Sequence, residues 1–276
     1  MTPMTPMNPI ATVFATPSAV TGYAAIAVGA LMLILWLISI PLKDVSIVDP
    51  VWGPAFVLVA LVAALTGDGG SGRRWLEFAL TAAWGIRLGV HLGRRKLGDR
   101  DEDRRYAEMR ERRGKSFIPW SLVAIFGLQG LLVLIVSLPL QVAATRPGSL
   151  TAAVIPGVVL FAIGLGFEAI GDEQLRRFKA RSDSHGQVMD GGLWHYTRHP
   201  NYFGDFCVWW GLWLIALTAG GSWWTLIGPV LMSVLLIRVS GKGLLERDIA
   251  KRRPGYVDYI KRTSGFVPRP PRRSSG

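Results

Sequence analysis

A polar segment between two apolar stretches carries several residue types that can bind an anion. Gly191-Gly192 permits a tight turn. Pro200 favours the first turn of a helix, where the free backbone N–H groups attract phosphate. Arg198 and His199 place further hydrogen-bond donors directly before that helix. The segment therefore predicts an anion site at the start of a helix.

The residues that follow add amide, carboxylate and aromatic groups. Asn201 and Asp205 are four positions apart, so a helix presents both on one face. An amide supplies the donor and the acceptor that a carboxamide requires, and a carboxylate accepts a hydrogen bond from a ribose hydroxyl. The alternative is an interfacial anchor with aromatic rings such as Tyr196 and Tyr202 at headgroup depth. That alternative leaves Asn201 and Asp205 without a role.

A second group of charged residues repeats at helical spacing. Arg87, His91 and Arg94 share one face of a predicted helix, with Arg95 beside them, and such a stripe suits an anion. Ionisable residues inside or at the ends of apolar spans are costly to place there and are functional candidates by default. These residues are Asp49, Glu77, Arg87, His91, Glu168, Asp172, Asp205 and Arg238.

A third charged group follows a later apolar stretch. Asp172, Arg176 and Lys179 repeat the same spacing, which suits a cofactor carrying anionic groups. A carboxylate four residues before an arginine is equally compatible with an ordinary ion pair on a helix surface. The spacing leaves both interpretations open.

Other motifs in the chain predict no chemistry. Gly164-x-Gly166-x-x-Ala169 matches the dinucleotide-binding string, but it lies inside an apolar stretch with no preceding strand, where small residues permit close helix packing. His195 and His199 are four apart, but their anion-site context disfavours a metal, and we predict no metal site. The sequence contains no P-loop, HExxH or GxSxG motif.

The composition places these candidates in a membrane protein. The 276 residues are 50% hydrophobic and 18% charged, with a mean hydropathy of +0.32, which is too apolar for an ordinary soluble domain. The net charge of +12 lies in clusters between apolar runs, so we predict no nucleic-acid partner and no obligate protein partner. The single cysteine, Cys207, excludes an intramolecular disulfide.

Apolar runs of about 20 residues, the length that crosses a bilayer, predict an all-α membrane protein with seven transmembrane helices. The predicted spans are 21–41, 46–66, 75–93, 120–140, 150–171, 202–220 and 222–239. Residues 1–20 carry no charge, so we expect no secretory signal peptide there. We assign 21–268 to the membrane domain and 269–276 to a basic disordered tail.

The distribution of cations predicts the orientation. Seven spans put 26 of the 31 lysines and arginines on one side of the membrane, and only Arg73, Arg74 and Arg146 on the other. The positive-inside rule makes the richer side cytoplasmic, so the N-terminus lies outside and the C-terminus inside. A simpler reading of the exposed cations is that they set the topology or bind anionic lipid. That reading applies to Arg110, Arg112, Arg113, Arg272 and Arg273.

The region beyond the last span predicts a docked C-terminal segment. Tyr256 and Tyr259 lie in a charged stretch that we expect to be helical, and Thr263–Pro268 carries a further aromatic residue. We therefore expect a helix followed by aromatic docking against the membrane domain.

The stretch Gly192–Asp205 (GLWHYTRHPNYFGD), with Tyr256 and Thr263–Pro268 (TSGFVP), resembles bacterial membrane proteins of the steroid 5α-reductase family. The similarity covers roughly residues 40–268, and Asn201–Asp205 is its most specific part. The resemblance implies a seven-helix fold that encloses NADPH, which donates hydride to the C4=C5 bond of a 3-oxo-4-ene steroid. It also implies a bacterial inner membrane location, with the cofactor site facing the cytoplasm.

The resemblance implies a set of NADPH contacts that overlaps the residues already singled out. They are Arg87, Asp172, Arg176, Lys179, Tyr196, Asn201, Asp205 and Arg238, with weaker matches at Lys242 and Glu246. Eukaryotic members hold the steroid ketone with a Gln-Glu pair and a tyrosine, and this chain departs from that pattern. The corresponding stretches offer Asp49, Trp52 and Trp84 as catalytic candidates. A protonated Asp49 or the indole N–H of Trp52 would stabilise the developing enolate oxygen.

A second enzyme class shares part of this pattern. Membrane methyltransferases of the isoprenylcysteine carboxyl methyltransferase type also carry Arg-His-Pro-x-Tyr, present here as Arg198–Tyr202, and they use S-adenosylmethionine. The cations around the segment favour the reductase, because NADPH carries phosphates that a methyl donor lacks. A non-enzymatic role in binding lipid is a third possibility.

Overall fold

The structure, a computed structural model, describes residues 16–98, 101–184, 186–220, 222–239 and 255–272. Within these residues all regular secondary structure is helical, apart from an isolated bridge between Thr197 and Ser264. The chain divides into two compact units. The first comprises residues 1–152 and 215–225, and the second comprises residues 153–214 and 226–276.

The first unit is built from seven α-helices within the described residues. They are α1 (Pro17–Leu42), α2 (Trp52–Thr66), α3 (Ser71–Gly98), α4 (Arg104–Arg113), α5 (Phe117–Ser121), α6 (Leu128–Val136) and α7 (Leu138–Ala143). A 3₁₀ helix, Val45–Val51, precedes α2, and a π-helical segment, Leu122–Gly127, joins α5 to α6.

The second unit contains four α-helices within the described residues. They are α8 (Ile155–Lys179), α9 (Pro200–Leu217), α10 (Ile227–Val234) and α11 (Tyr256–Arg262), with a π-helical segment at Leu235–Val239. The last three residues of α9, 215–217, belong to the first unit. Further short 3₁₀ helices occur in both units, at Gly114–Ser116, Ala152–Val154, Ser182–Ser184, Gly192–His195 and Trp223–Leu226. Pro200 begins α9, which confirms the predicted helix start.

A helix occupies each of the seven predicted positions, and several of them can cross a membrane. Four helical stretches are both long and apolar enough by composition, namely Pro17–Leu42, Val45–Thr66, Arg104–Val136 and Ala152–Lys179. A shorter apolar stretch lies at Trp223–Arg238. The all-helical membrane fold is confirmed at this level, while the seven spans and their orientation stay predictions.

Small residues bring α8 and α9 into close contact in the second unit. A Cβ atom added to Gly164 would lie 2.5 Å from the carbonyl oxygen of Gly204. A Cβ on Gly204 would lie 2.5 Å from the backbone nitrogen of Glu168. Gly164 therefore serves close helix packing, which the small residues of this stretch predicted.

We expect Gly204→Val to lower the thermal stability of the protein, because its side chain would meet the backbone of α8. Overpacking of this kind costs about 1–3 kcal/mol. Intrinsic tryptophan fluorescence during heating in detergent would measure the loss. Gly166→Val is the control, because a Cβ there meets no atom within 4 Å. Equal melting temperatures for the two variants would contradict the packing described here.

Candidate functional site

Two predicted cofactor residues from different helices meet in the second unit. The side-chain amide of Asn201, in the first turn of α9, donates to Oδ1 of Asp172 on α8 at 3.1 Å. Asp172 is buried, and Gly171 beside it leaves room for Pro200, whose Cγ would lie 3.1 Å from an added Cβ. The amide oxygen of Asn201 accepts from the backbone N–H of Tyr202 at 3.1 Å. Asn201 and Asp172 therefore place an amide and a carboxylate side by side, where α8 and the start of α9 meet.

Arg198 has a structural role that the sequence did not predict. The residue is buried, and its Nη1 donates to the backbone oxygens of Ile260 at 3.0 Å and Thr263 at 2.6 Å. Its backbone N–H donates to the oxygen of Ser264 at 2.9 Å. Arg198, which the sequence predicted to be a donor at an anion site, therefore binds the C-terminal segment through Nη1.

The C-terminal segment docks on α9 and on the residues before it, in line with the predicted aromatic docking. The ring of Phe266 lies 6.1 Å from that of Phe203 and 5.6 Å from that of Phe206. The hydroxyl of Tyr259 donates to the backbone oxygen of Trp194, and burial raises the pKa of Tyr259. These contacts hold the predicted site segment against the chain terminus.

The docked segment extends beyond the boundary predicted at residue 268. The backbone N–H of Arg269 donates to the oxygen of Tyr196 at 3.0 Å, and that of Arg272 donates to Arg262 at 2.9 Å. The predicted basic tail thus begins with residues that are tied to the fold.

The other candidates of the second unit differ in exposure. The rings of His199 and Tyr202 stack 5.4 Å apart and nearly parallel, and Asp205 is half-buried. Arg176 is exposed and forms a surface ion pair, but its partner is Glu173, at 2.7 Å, and not Asp172 as its spacing permitted. Exposed candidates also include Lys179, Tyr196 and Arg238. Lys242 and Glu246 lie outside the described residues.

In the first unit, Asp49 belongs to a chain of hydrogen bonds. The hydroxyl of Tyr106 on α4 donates to Oδ1 of Asp49 at 2.9 Å. Nε2 of Gln129 on α6 donates to the same hydroxyl at 3.3 Å. Nη2 of Arg105 lies 3.4 Å from Oδ2 of Asp49. A predicted catalytic carboxylate therefore contacts a phenol that can transfer a proton.

A second set of polar contacts fixes the 3₁₀ helix that carries Asp49. Asp44 caps this helix by accepting from Ser46, and it pairs with Lys96 at 2.7 Å. Burial by itself raises the pKa of Asp44. The hydrogen bonds from Lys96 and Ser46 lower the pKa by more than burial raises it, so the pKa of Asp44 lies below its ordinary value. Oε1 of Glu102 accepts from the backbone N–H of Val45 at 2.9 Å. The last turn of α3, through Lys96, and Glu102 before α4 thus hold the Asp49 segment.

The predicted catalytic tryptophans lie near a close crossing of α2 and α3. A Cβ on Gly53 would lie 2.3 Å from the oxygen of Gly85, so only glycine permits this approach. Phe56 contacts both tryptophans, with ring centroids 5.3 Å from Trp52 and 5.7 Å from Trp84. Trp84 is fully buried, which makes it a packing residue in this structure.

The basic stripe of α3 runs from the interior toward the surface. Arg87 and His91 are half-buried, whereas Arg94 and Arg95 near the helix end are exposed. The exposure of the four residues therefore increases along α3 toward its C-terminal end, in agreement with the spacing, which predicted a stripe that approaches the membrane surface.

Sequence reasoning missed Tyr106 and Gln129. Gln129 had a signal, because it is an amide inside a span that contains no charge. It also follows a π-helical segment, a feature that is frequent at functional sites. Tyr106 lies in a highly charged stretch whose periodicity indicates a surface helix, and nothing in that stretch points to Asp49.

These features define an all-helical membrane protein with polar residues buried among its helices. The sequence profile of one protein family matches residues 35–263, and the chain belongs to that family, described as Protein of unknown function (DUF1295). It is a family of membrane proteins that includes steroid 5α-reductase-like members. No curated protein and no solved structure matches the chain.

Proposed function

We propose that this protein is an NADPH-dependent membrane reductase acting on the C4=C5 bond of a 3-oxo-4-ene steroid or a similar lipid. The observation that carries the proposal is the hydrogen bond between Asn201 and Asp172. It joins the most specific residue of the resemblance to a carboxylate 29 positions away. The family, which includes 5α-reductase-like members, supports the same conclusion.

The residues of the second unit fit the nicotinamide end of such a cofactor. The amide of Asn201 offers a donor and an acceptor to a carboxamide, and Asp172 and Asp205 accept from hydroxyl or amide groups. The stacked rings of His199 and Tyr202 add a flat surface beside Asn201. NADPH, when bound, supplies the hydride that reduces the substrate.

The residues of the first unit fit the accompanying proton transfer. A protonated Asp49 would donate to the oxygen of Tyr106, which also accepts from Gln129. The phenol oxygen would then accept two hydrogen bonds, which leaves its own proton for the substrate carbonyl oxygen. This donation stabilises the enolate oxygen that forms as hydride reaches C5. The ketone would be restored when C4 takes a proton from water and the oxygen returns its proton to the phenol. Tyr106 thus takes the donor role that we assigned to Trp52 and Asp49 from the sequence.

The proposal includes seven transmembrane helices in a bacterial inner membrane, with the C-terminus and the cofactor site on the cytoplasmic side. Its support is the cation distribution together with the helices of membrane-spanning length. The partners are then the lipid substrate and the surrounding membrane lipid.

The decisive test uses the purified protein in detergent with androstenedione or progesterone. We expect NADPH to be oxidised in equal amount to the steroid reduced, and NADPH to bind more tightly than NADH because exposed cations near the end of α8 can hold a 2′-phosphate. Absorbance at the nicotinamide band and mass spectrometry of the product would measure this. No reduction, combined with transfer of a methyl group from S-adenosylmethionine to a lipid, would replace the proposal with the methyltransferase.

A further inference from the structure

A group of cations and aromatic rings lies where the charged helix α4 meets the apolar helices α5 and α6. The guanidinium of Arg113 lies 4.4 Å from the ring centroid of Trp120. Lys115 lies between them in the chain and is exposed. We call Arg113, Lys115 and Trp120 the Arg113 site. It does not include any residue assigned to the proposed reaction.

Within the described part of the chain, the cations of the Arg113 site differ from their neighbours in having no acidic partner. Arg104 and Arg112 lie 2.9 Å and 3.9 Å from Glu108, so the charge of that carboxylate is shared between them. Among the residues that the structure describes, neither Arg113 nor Lys115 forms an ion pair. The positive charge at this position is therefore free to bind an external anion.

The surroundings of the Arg113 site are apolar on one side. Ile118, Val123 and Leu128 are exposed, and Val123 is 73% exposed. They belong to a helical stretch that is apolar enough to cross a membrane. The indole N–H of Trp36 on α1 donates to the backbone oxygen of Ile118 at 3.1 Å, so two tryptophans lie where the apolar stretch begins. Tryptophans of this kind are enriched at the membrane–water interface.

We propose that the Arg113 site binds the phosphate group of an anionic phospholipid. The unpaired cations attract an anion, and the exposed apolar side chains next to them require acyl chains. A soluble phosphate satisfies only the first requirement, and a zwitterionic lipid satisfies only the second. An anionic phospholipid satisfies both, and stacking on Trp120 fixes the direction of the Arg113 guanidinium toward the headgroup.

Native mass spectrometry of the full-length protein tests this site. The protein is loaded with a mixture of phosphatidylglycerol and phosphatidylcholine that carry the same acyl chains, so that only the headgroup differs. We expect wild-type protein to retain phosphatidylglycerol selectively. Arg113→Gln and Lys115→Gln should each weaken that binding by about fivefold, the effect of one cation near an anionic surface.

The control is Arg112→Gln, which removes the same charge one residue away, where the cation already faces Glu108. It should leave phosphatidylglycerol binding unchanged. Equal retention of the two lipids, an equal loss in the Arg112 variant, or displacement of the lipid by inorganic phosphate alone would each overturn the proposal. Unchanged melting temperatures would show that the variants are folded, and NADPH-dependent reduction plays no part in the result.

Discussion

Replacing Tyr106 with phenylalanine is expected to lower kcat of the proposed steroid reduction by about 100-fold, the usual contribution of a positioned general acid. The variant keeps the ring on α4 but removes the hydroxyl that contacts Asp49 and Gln129. Asp49→Asn keeps a hydrogen-bond partner for the phenol but removes the acidic proton that the Asp49 carboxyl would donate to the phenol oxygen, so it should lower kcat as well. Steady-state kinetics with saturating NADPH would measure both effects.

The affinity for NADPH separates this role from a general disturbance. We expect it to be unchanged in both variants, because neither Asp49 nor Tyr106 is among the residues that we assign to the cofactor. Glu108→Gln is the matched control, since it changes an exposed acid on the same helix whose partners are arginines. A phenylalanine variant with the wild-type kcat would show that Tyr106 does not donate the proton.

Replacing Asn201 with alanine should reduce turnover of a 3-oxo-4-ene steroid by about tenfold or more, which corresponds to about 1.4 kcal/mol of lost cofactor positioning. The change removes the amide that donates to Asp172, and with it the side chain of α9 that offers both a donor and an acceptor to a carboxamide. Asp172→Asn, which keeps the size of the side chain and removes its charge, should also weaken NADPH binding. Fluorescence titration with NADPH and steady-state kinetics would measure both variants.

Asp183→Asn provides the comparison, because Asp183 is an exposed carboxylate of the same unit that pairs with Arg181 at 2.7 Å. It should bind NADPH and reduce the steroid as wild type does. Wild-type activity and NADPH affinity in the Asn201 and Asp172 variants would remove these residues from the site.

Local features of the sequence predicted much of the helical fold. Apolar runs predicted the positions of the membrane helices, because burial of an apolar face or span depends on consecutive side chains. Pro200 predicted the start of α9, because its fixed backbone angle suits a first helical turn and its missing N–H costs no hydrogen bond there. The small residues that begin at Gly164 predicted close helix packing for a similarly local reason.

The partners of the polar side chains were decided only by the tertiary structure. The spacing of Asp172 and Arg176 permitted an ion pair, but Asp172 contacts Asn201 and Arg176 contacts Glu173. Arg198 contacts the C-terminal backbone 62 and 65 positions away, and Asp49 contacts Tyr106 at a separation of 57. Helical periodicity relates residues within about two turns of one another. Which helices then place their side chains together depends on packing between distant segments, and that information is not carried by any local pattern.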